Sequence, residues 1–248
     1  MKFPDSVRQI ERLLRAELSD RYESRFASHK RIMKSLDDSV LQHSLSLEFE
    51  TAYPFFNKAK QKREIKKELH DSHRRAWEYA LENIGPKQEY THTDLNIIAK
   101  LIEPNQLINP ACGYRAYDVR IAGATHETVE PGDIYRQVSE MIDKVNGMKS
   151  PLEKAIYSHF HIARIHPFEE GNGRTSRIVQ NSILCGADLL PVCIAPFQRD
   201  LYIAILDDAV NDYDSGNPQY LYTFSEFIVQ NVYMELKDYK HKMDRMAK

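Results

Sequence analysis

Apolar residues return along most of this chain at three- and four-residue intervals, the spacing of helices with one buried face. Val7, Ile10, Leu13, Leu14 and Leu18 predict a first helix over about 5–35. A second starts at Ser35-Leu36-Asp37-Asp38, where serine and acidic residues suit an N-terminus. It runs through Val40, Leu41, Leu45 and Leu47, and Pro54 limits it. Ile65, Leu69, His73 and Trp77 carry a third helix through a lysine- and arginine-rich tract until Gly85-Pro86 stops it. Thr93-Asp94 reads as the cap of a fourth, with Leu95, Ile98, Leu101 and Ile102 on its apolar side.

The pattern then changes. Over 109–131 the β-formers Tyr114, Tyr117, Val119 and Ile121 precede Gly123-Ala124, which predicts an extended segment with a turn, a small β-hairpin. Helical spacing resumes with Ile134, Val138, Met141 and Ile142, and Gly147 ends that helix. Ser150-Pro151-Leu152-Glu153 is a helix start, with serine as cap and proline in the first turn. Ile156, Tyr157, Phe160 and Ile165 follow and deliver His166 at the end. A further helix holds Ile178, Val179, Ile183 and Leu184 and breaks at Gly186; another holds Arg199, Tyr202, Ile205, Leu206 and Ala209. The last runs from Leu221 through Phe227, Val232 and Met234. The expected class is all-α with one small β-hairpin, divided into an N-terminal helical segment (1–88) and a core (89–248) with a C-terminal helix.

Composition narrows the class. The 248 residues are 42% hydrophobic and 28% charged, as in soluble globular proteins, with a net charge of −2. That balance gives no general electrostatic case for nucleic acid or anionic membrane. The basic tract over 57–75 reads as a solvated helix face. No apolar run reaches membrane length. Three cysteines (Cys112, Cys185, Cys193) without metal-ligand spacing fit reduced thiols in a cytoplasmic setting. His159 and His161 read as packing or surface histidines, since no cysteine or carboxylate completes a zinc set.

One stretch concentrates chemistry: His166-Pro167-Phe168-Glu169-Glu170-Gly171-Asn172-Gly173-Arg174-Thr175-Ser176-Arg177. Arg174 and Arg177 are i, i+3, so on a helix they project from one face, as bidentate clamps for distal phosphates. Gly171 and Gly173 flank Asn172 and let backbone N–H groups turn inward as an anion nest at a helix N-terminus. Glu170 is a hard oxygen ligand suited to a Mg²⁺ that bridges phosphates. His166 can accept a hydroxyl proton at neutral pH. Together these types suit the handling of a nucleoside triphosphate.

The stretch resembles the Fic family signature, His-x-Phe-x-(Asp/Glu)-Gly-Asn-Gly-Arg-x-x-Arg, and matches it at every defined position. The resemblance covers roughly 90–230 and implies an all-helical enzyme that moves AMP from ATP onto a Ser, Thr or Tyr hydroxyl of a target protein or of itself. By the same analogy His166 is the base and Glu170 holds the metal. Asn172 with the glycine amides holds the α- and β-phosphates, Arg174 and Arg177 the β- and γ-phosphates, and Phe168 anchors the loop in the core. Gly113-Tyr114-Arg115 and the run Val119, Arg120, Ile121, Ala122, Gly123 resemble the family's hairpin flap, whose strand edge would dock an extended target segment. Glu130-Pro131 stands where the family often has paired prolines.

Upstream, Ser44-Leu45-Ser46-Leu47-Glu48-Phe49 resembles the family's inhibitory helix (36–52), (Ser/Thr)-x-x-x-Glu-(Gly/Asn), with Phe49 in place of the last residue. The resemblance implies that Glu48 pairs with Arg177 and keeps it from a γ-phosphate. The register from Ser46 to Glu50 fits almost as well. Removal of AMP by the same site, transfer of another phospho-group, and a toxin–antitoxin-like module that only holds ATP are the other functional readings. The intact Gly171-Asn172-Gly173 argues against phosphate transfer. The partners implied are ATP and a protein, with no nucleic acid or membrane; homo-oligomerisation stays open.

Overall fold

The structure, a computed structural model, describes residues 1–24, 39, 41–42, 44, 59–121 and 123–246. Two helices of mostly buried residues form its centre. α5 (Pro151–Ile165) opens on Ser150, whose hydroxyl accepts from Glu153 N at 3.1 Å, with Pro151 in the first turn. α6 (Asn172–Gly186) follows α5 after six intervening residues and packs along it. Nearly every residue of both helices is buried, so their polar members need partners inside the protein.

The other helices cover that pair. α1 (Asp5–Ser24) lies on α5 and on α8 (Tyr222–Met246) through Val7, Ile10, Leu14 and Leu18. α2 (Ala59–Asn83) packs on α3 (His92–Ile102) and on α6; α4 (Pro131–Asn146) packs on α5; α7 (Arg199–Asp214) packs on α8. The end of α2 meets the end of α6 at two glycines. A Cβ added to Gly186 would stand 1.8 Å from the Gly85 carbonyl oxygen, so only hydrogen fits there.

Most elements follow the periodicity. α1 is described to Ser24, and its expected continuation to 35 lies outside the described residues. Two expectations change. The cap of α3 is Thr91, not Thr93-Asp94: Thr91 Oγ1 accepts from Asp94 N and Asp94 returns a bond to Thr91 N, a complete capping box. The expected β-hairpin forms no strand among the described residues. Ala124 N does close a turn onto Ile121 O, with Gly123 at φ 87°, and Thr128 Oγ1 reaches Val119 O across the turn. Side chains, not a backbone ladder, hold the two arms, because Tyr114 turns into the core and Arg115 takes up the carbonyls. Among the described residues no helix is long and apolar enough to cross a membrane.

Candidate active site

His166 ends α5. Its N–H donates to Ile162 O while its own backbone turns left-handed (φ 52°, ψ 56°), which throws the chain sharply toward α6. The ring is held as well: Nδ1 stands 3.3 Å from the Ala163 carbonyl. A carbonyl only accepts, so Nδ1 is the donor here, and in the neutral imidazole Nε2 is then the acceptor that a general base needs.

The next residues close a compact loop. Asn172 clasps it, accepting from Phe168 N and donating to Phe168 O, both at 2.9 Å. Its carboxamide is thereby occupied, so what Asn172 offers an anion is its backbone N–H in the first turn of α6. Phe168 is fully buried against Tyr114 with ring centroids 5.6 Å apart, in the core role the sequence suggested. Gly171 is the N-cap at φ 78°, and a Cβ there would come within 3.0 Å of Ile102 Cγ2. Gly171, Asn172 and Gly173 therefore present a helix N-terminus, and Gly173 lines the same cavity as His166.

The two arginines rise from the first turns of α6, both buried. Arg174 Nη2 pairs with Glu103 Oε1 at 2.6 Å, at the end of α3. Arg177 Nε donates to Ser44 Oγ at 3.0 Å and Nη2 to Ser44 O at 3.1 Å. Ser39, Leu41, Gln42 and Ser44 are helical, and Ser44 is buried at this contact. Glu48, Glu50, Ser46 and Phe49 lie outside the described residues, as does Ala122 of the flap.

A cavity of about 170 Å³ opens beside the base. Its lining includes His166, Gly173 and Arg177, and the apolar side chains of Ile121 of the flap with Ile203 and Leu206 of α7. Val119 and Arg120 precede Ile121, half-buried and exposed respectively. The flap is tied to α7 by Asp207, which accepts from Thr125 N (2.9 Å), Thr125 Oγ1 (2.6 Å), His126 N (3.1 Å) and His126 Nδ1 (2.5 Å). Burial pushes the Asp207 carboxyl up, but these hydrogen bonds outweigh it and hold its pKa at about 2. The sequence reading passed over Asp207, yet it sits on the inward face of a helix, four residues after Ile203 and three before Val210.

Behind the base, His159 joins three helices, with Nδ1 on Gln180 Oε1 and Nε2 on the Tyr202 hydroxyl. Burial, against the Gln180 bond and with Arg177 nearby, lowers its pKa to about 3, so it stays neutral and structural. His161 is likewise pushed well down by burial and by Arg164. On the opposite flank, Glu169 accepts from Leu107 N at 2.7 Å and from the Tyr117 hydroxyl; those bonds hold its carboxyl below the usual range.

Among the described residues no cluster of three or more metal-ligating side chains occurs. Mg²⁺ does not require one, since it keeps waters and takes one or two carboxylates plus substrate phosphates. Glu170, exposed and one residue before the amide nest, has the donor chemistry for that arrangement.

Residues 67–184 match the model of the Fic/DOC family. The chain is 35% identical to the protein adenylyltransferase Fic of Drosophila persimilis over 97 residues, 38% of this chain and 19% of that protein. It is 34% identical to the Nematostella vectensis protein of the same description over 100 residues, 39% of this chain and 23% of that one. The matched stretch thus spans about a fifth of these relatives' length. In fold, the chain is similar to Fic-1 (residues 134–508) from C. elegans, with a TM-score of 0.74 at 17% identity, covering 97% of this chain and 73% of that one. It is also similar to a Fic domain containing signaling protein from Bacteroides thetaiotaomicron, with a TM-score of 0.66 at 17% identity, covering 96% and 97%.

Proposed function

We propose, from the match of residues 67–184 to the Fic/DOC family, that the protein transfers AMP from ATP to a hydroxyl side chain of a protein, itself included. The observation that carries this is the meeting of His166, its Nδ1 turned to the Ala163 carbonyl, and the N-terminus of α6 at Gly171–Gly173, with Arg174 and Arg177 on the same helix.

In this reading the amides of the first turn of α6 receive the α- and β-phosphates, and the arginines neutralise the distal ones. The apolar lining of the cavity, with Ile121, Ile203 and Leu206, takes the flat base. His166 Nε2 accepts the proton of the target hydroxyl as its oxygen bonds to the α-phosphorus. The bond from the α-phosphorus to the bridging oxygen breaks, and pyrophosphate leaves with that electron pair. A Mg²⁺ at Glu170 would supply charge neutralisation for the phosphates. A positioned base and a preformed anion nest are what such a displacement asks of a protein.

The same reading makes the 36–52 segment inhibitory. Arg177 already spends Nε and Nη2 on Ser44, and a guanidinium so engaged has less to offer a γ-phosphate. In helical spacing Glu48 falls one turn beyond Ser44, on the same face, whereas Glu50 does not. ATP labelled in the α- or in the γ-phosphate tests both points. Label from the α-position on protein, stronger in Glu48→Gly and gone in His166→Ala, is expected. Transfer from the γ-position, or none in either chain, would refute it. A gain in Glu50→Gly alone would move the inhibitory glutamate.

A further inference from the structure

One buried cation near the base has no part in the phosphate cradle. Arg115 is 1% exposed, and each of its three guanidinium nitrogens donates to a main-chain carbonyl. Nε reaches His166 O at 2.7 Å, Nη1 reaches Tyr117 O at 2.8 Å, and Nη2 reaches Val129 O. Its own N–H donates to Pro167 O at 2.9 Å. Burying a guanidinium on carbonyls alone is costly, and burial does lower its pKa. Three diverging carbonyls match the planar fork of arginine and exceed what one lysine ammonium can serve in fixed directions.

Those carbonyls belong to separate functional pieces. His166 bears the base, in a left-handed conformation that a non-glycine residue keeps only when its surroundings impose it. Tyr117 and Val129 stand on either side of the flap turn at Gly123. A single side chain thus fixes the peptide plane that aims the imidazole and, with the same atoms, gathers both arms of the flap. At the far end Asp207 pins Thr125 and His126 to α7, so the flap is held at two points, one of them the base itself.

We propose that Arg115 is the positioning residue for His166, and that it couples the placement of the flap to the aim of the base. This rests on the reading of His166 as the base, but its geometry can be read without turnover. Arg115→Lys keeps the charge and loses the fork; Arg115→Ala loses both. Three measurements on the full chain decide. They are the ring resonances of His166 followed against pH, assigned with His166→Ala; the Kd for ATP with magnesium; and the rate of self-labelling from α-labelled ATP in the Glu48→Gly background. In Arg115→Lys the His166 resonances and their pH midpoint move, ATP Kd stays within about twofold, and labelling falls about tenfold or more, as expected for a misaimed base.

Wild-type resonances and rate in Arg115→Lys would overturn the proposal. So would a loss of ATP affinity as large as the loss of rate with His166 unmoved, since that is damage to the cradle. An Arg115→Lys chain that does not fold would assign the arginine to stability alone and overturn it too. If the parent chain never labels while the His166 resonances still move in Arg115→Lys, the transfer reading fails and the positioning role stands.

Discussion

Replacing Asp207 by Asn is expected to loosen the flap from α7 and to do so in a pH-dependent way. The carboxylate accepts four hydrogen bonds from Thr125 and His126 in a site where its residue is 9% exposed. A pKa held at about 2 against an ordinary 3.8 is a preference of the folded state for the ionised form, worth about 2 kcal/mol at about 1.4 kcal/mol per pKa unit. Because the folded pKa is the lower one, this stability is fully present above pH 3.8 and is lost as pH falls through about 2; about half should be gone by pH 3. At pH 7, Asp207→Asn should therefore cost about 2 kcal/mol, or a fall in Tm of about 4–8 °C for a chain of this size. Urea unfolding of both chains at pH 6 and near pH 3 is the assay. The deficit of the variant should shrink between the two conditions. A variant as stable as the parent at pH 6, or whose deficit is the same at both pH values, would refute the assignment of the flap anchor to this carboxylate.

Three other substitutions probe the scaffold and the site. Gly186→Ala forces a Cβ to within 1.8 Å of Gly85 O, so thermal unfolding should show a loss of about 3 kcal/mol as α2 and α6 are pushed apart; an unchanged Tm would contradict that crossing. Ser44→Ala removes the Arg177 Nε partner and should tighten ATP binding by about two- to tenfold in calorimetry, the equivalent of one hydrogen bond. Gly171→Ala combines φ 78° with a contact to Ile102; it should lose about 1–2 kcal/mol of stability and most ATP affinity, while His166→Ala keeps that affinity.

The chain shows its helices openly because helical burial repeats locally. Ser150 with Pro151, the stop at Gly186, and the apolar spacing of α4 and α5 are all written within a few residues of where they act. The contiguous motif was legible for the same reason, since His166, the glycines and both arginines lie within twelve residues. What escaped is long-range. Asp207 meets Thr125 and His126 across about eighty positions, and Glu103 meets Arg174 across 71. No local pattern announces such pairings. The hairpin expectation failed for a related reason: Tyr114 and Val119 look like strand residues, but the first is drawn into the core against Phe168 and the carbonyl of the second is taken by Thr128. Arg115 was visible beside Gly113 and Tyr114, but its bond to His166, 51 residues on, was not.

The most direct measurement is a crystal structure of the Glu48→Gly chain with ATP and magnesium. The triphosphate should lie on the Gly171–Gly173 amides, with Arg174 and Arg177 on its distal phosphates and the α-phosphorus facing His166 Nε2. A nucleotide bound elsewhere, with the first turn of α6 bare, would contradict the proposed transfer at its root.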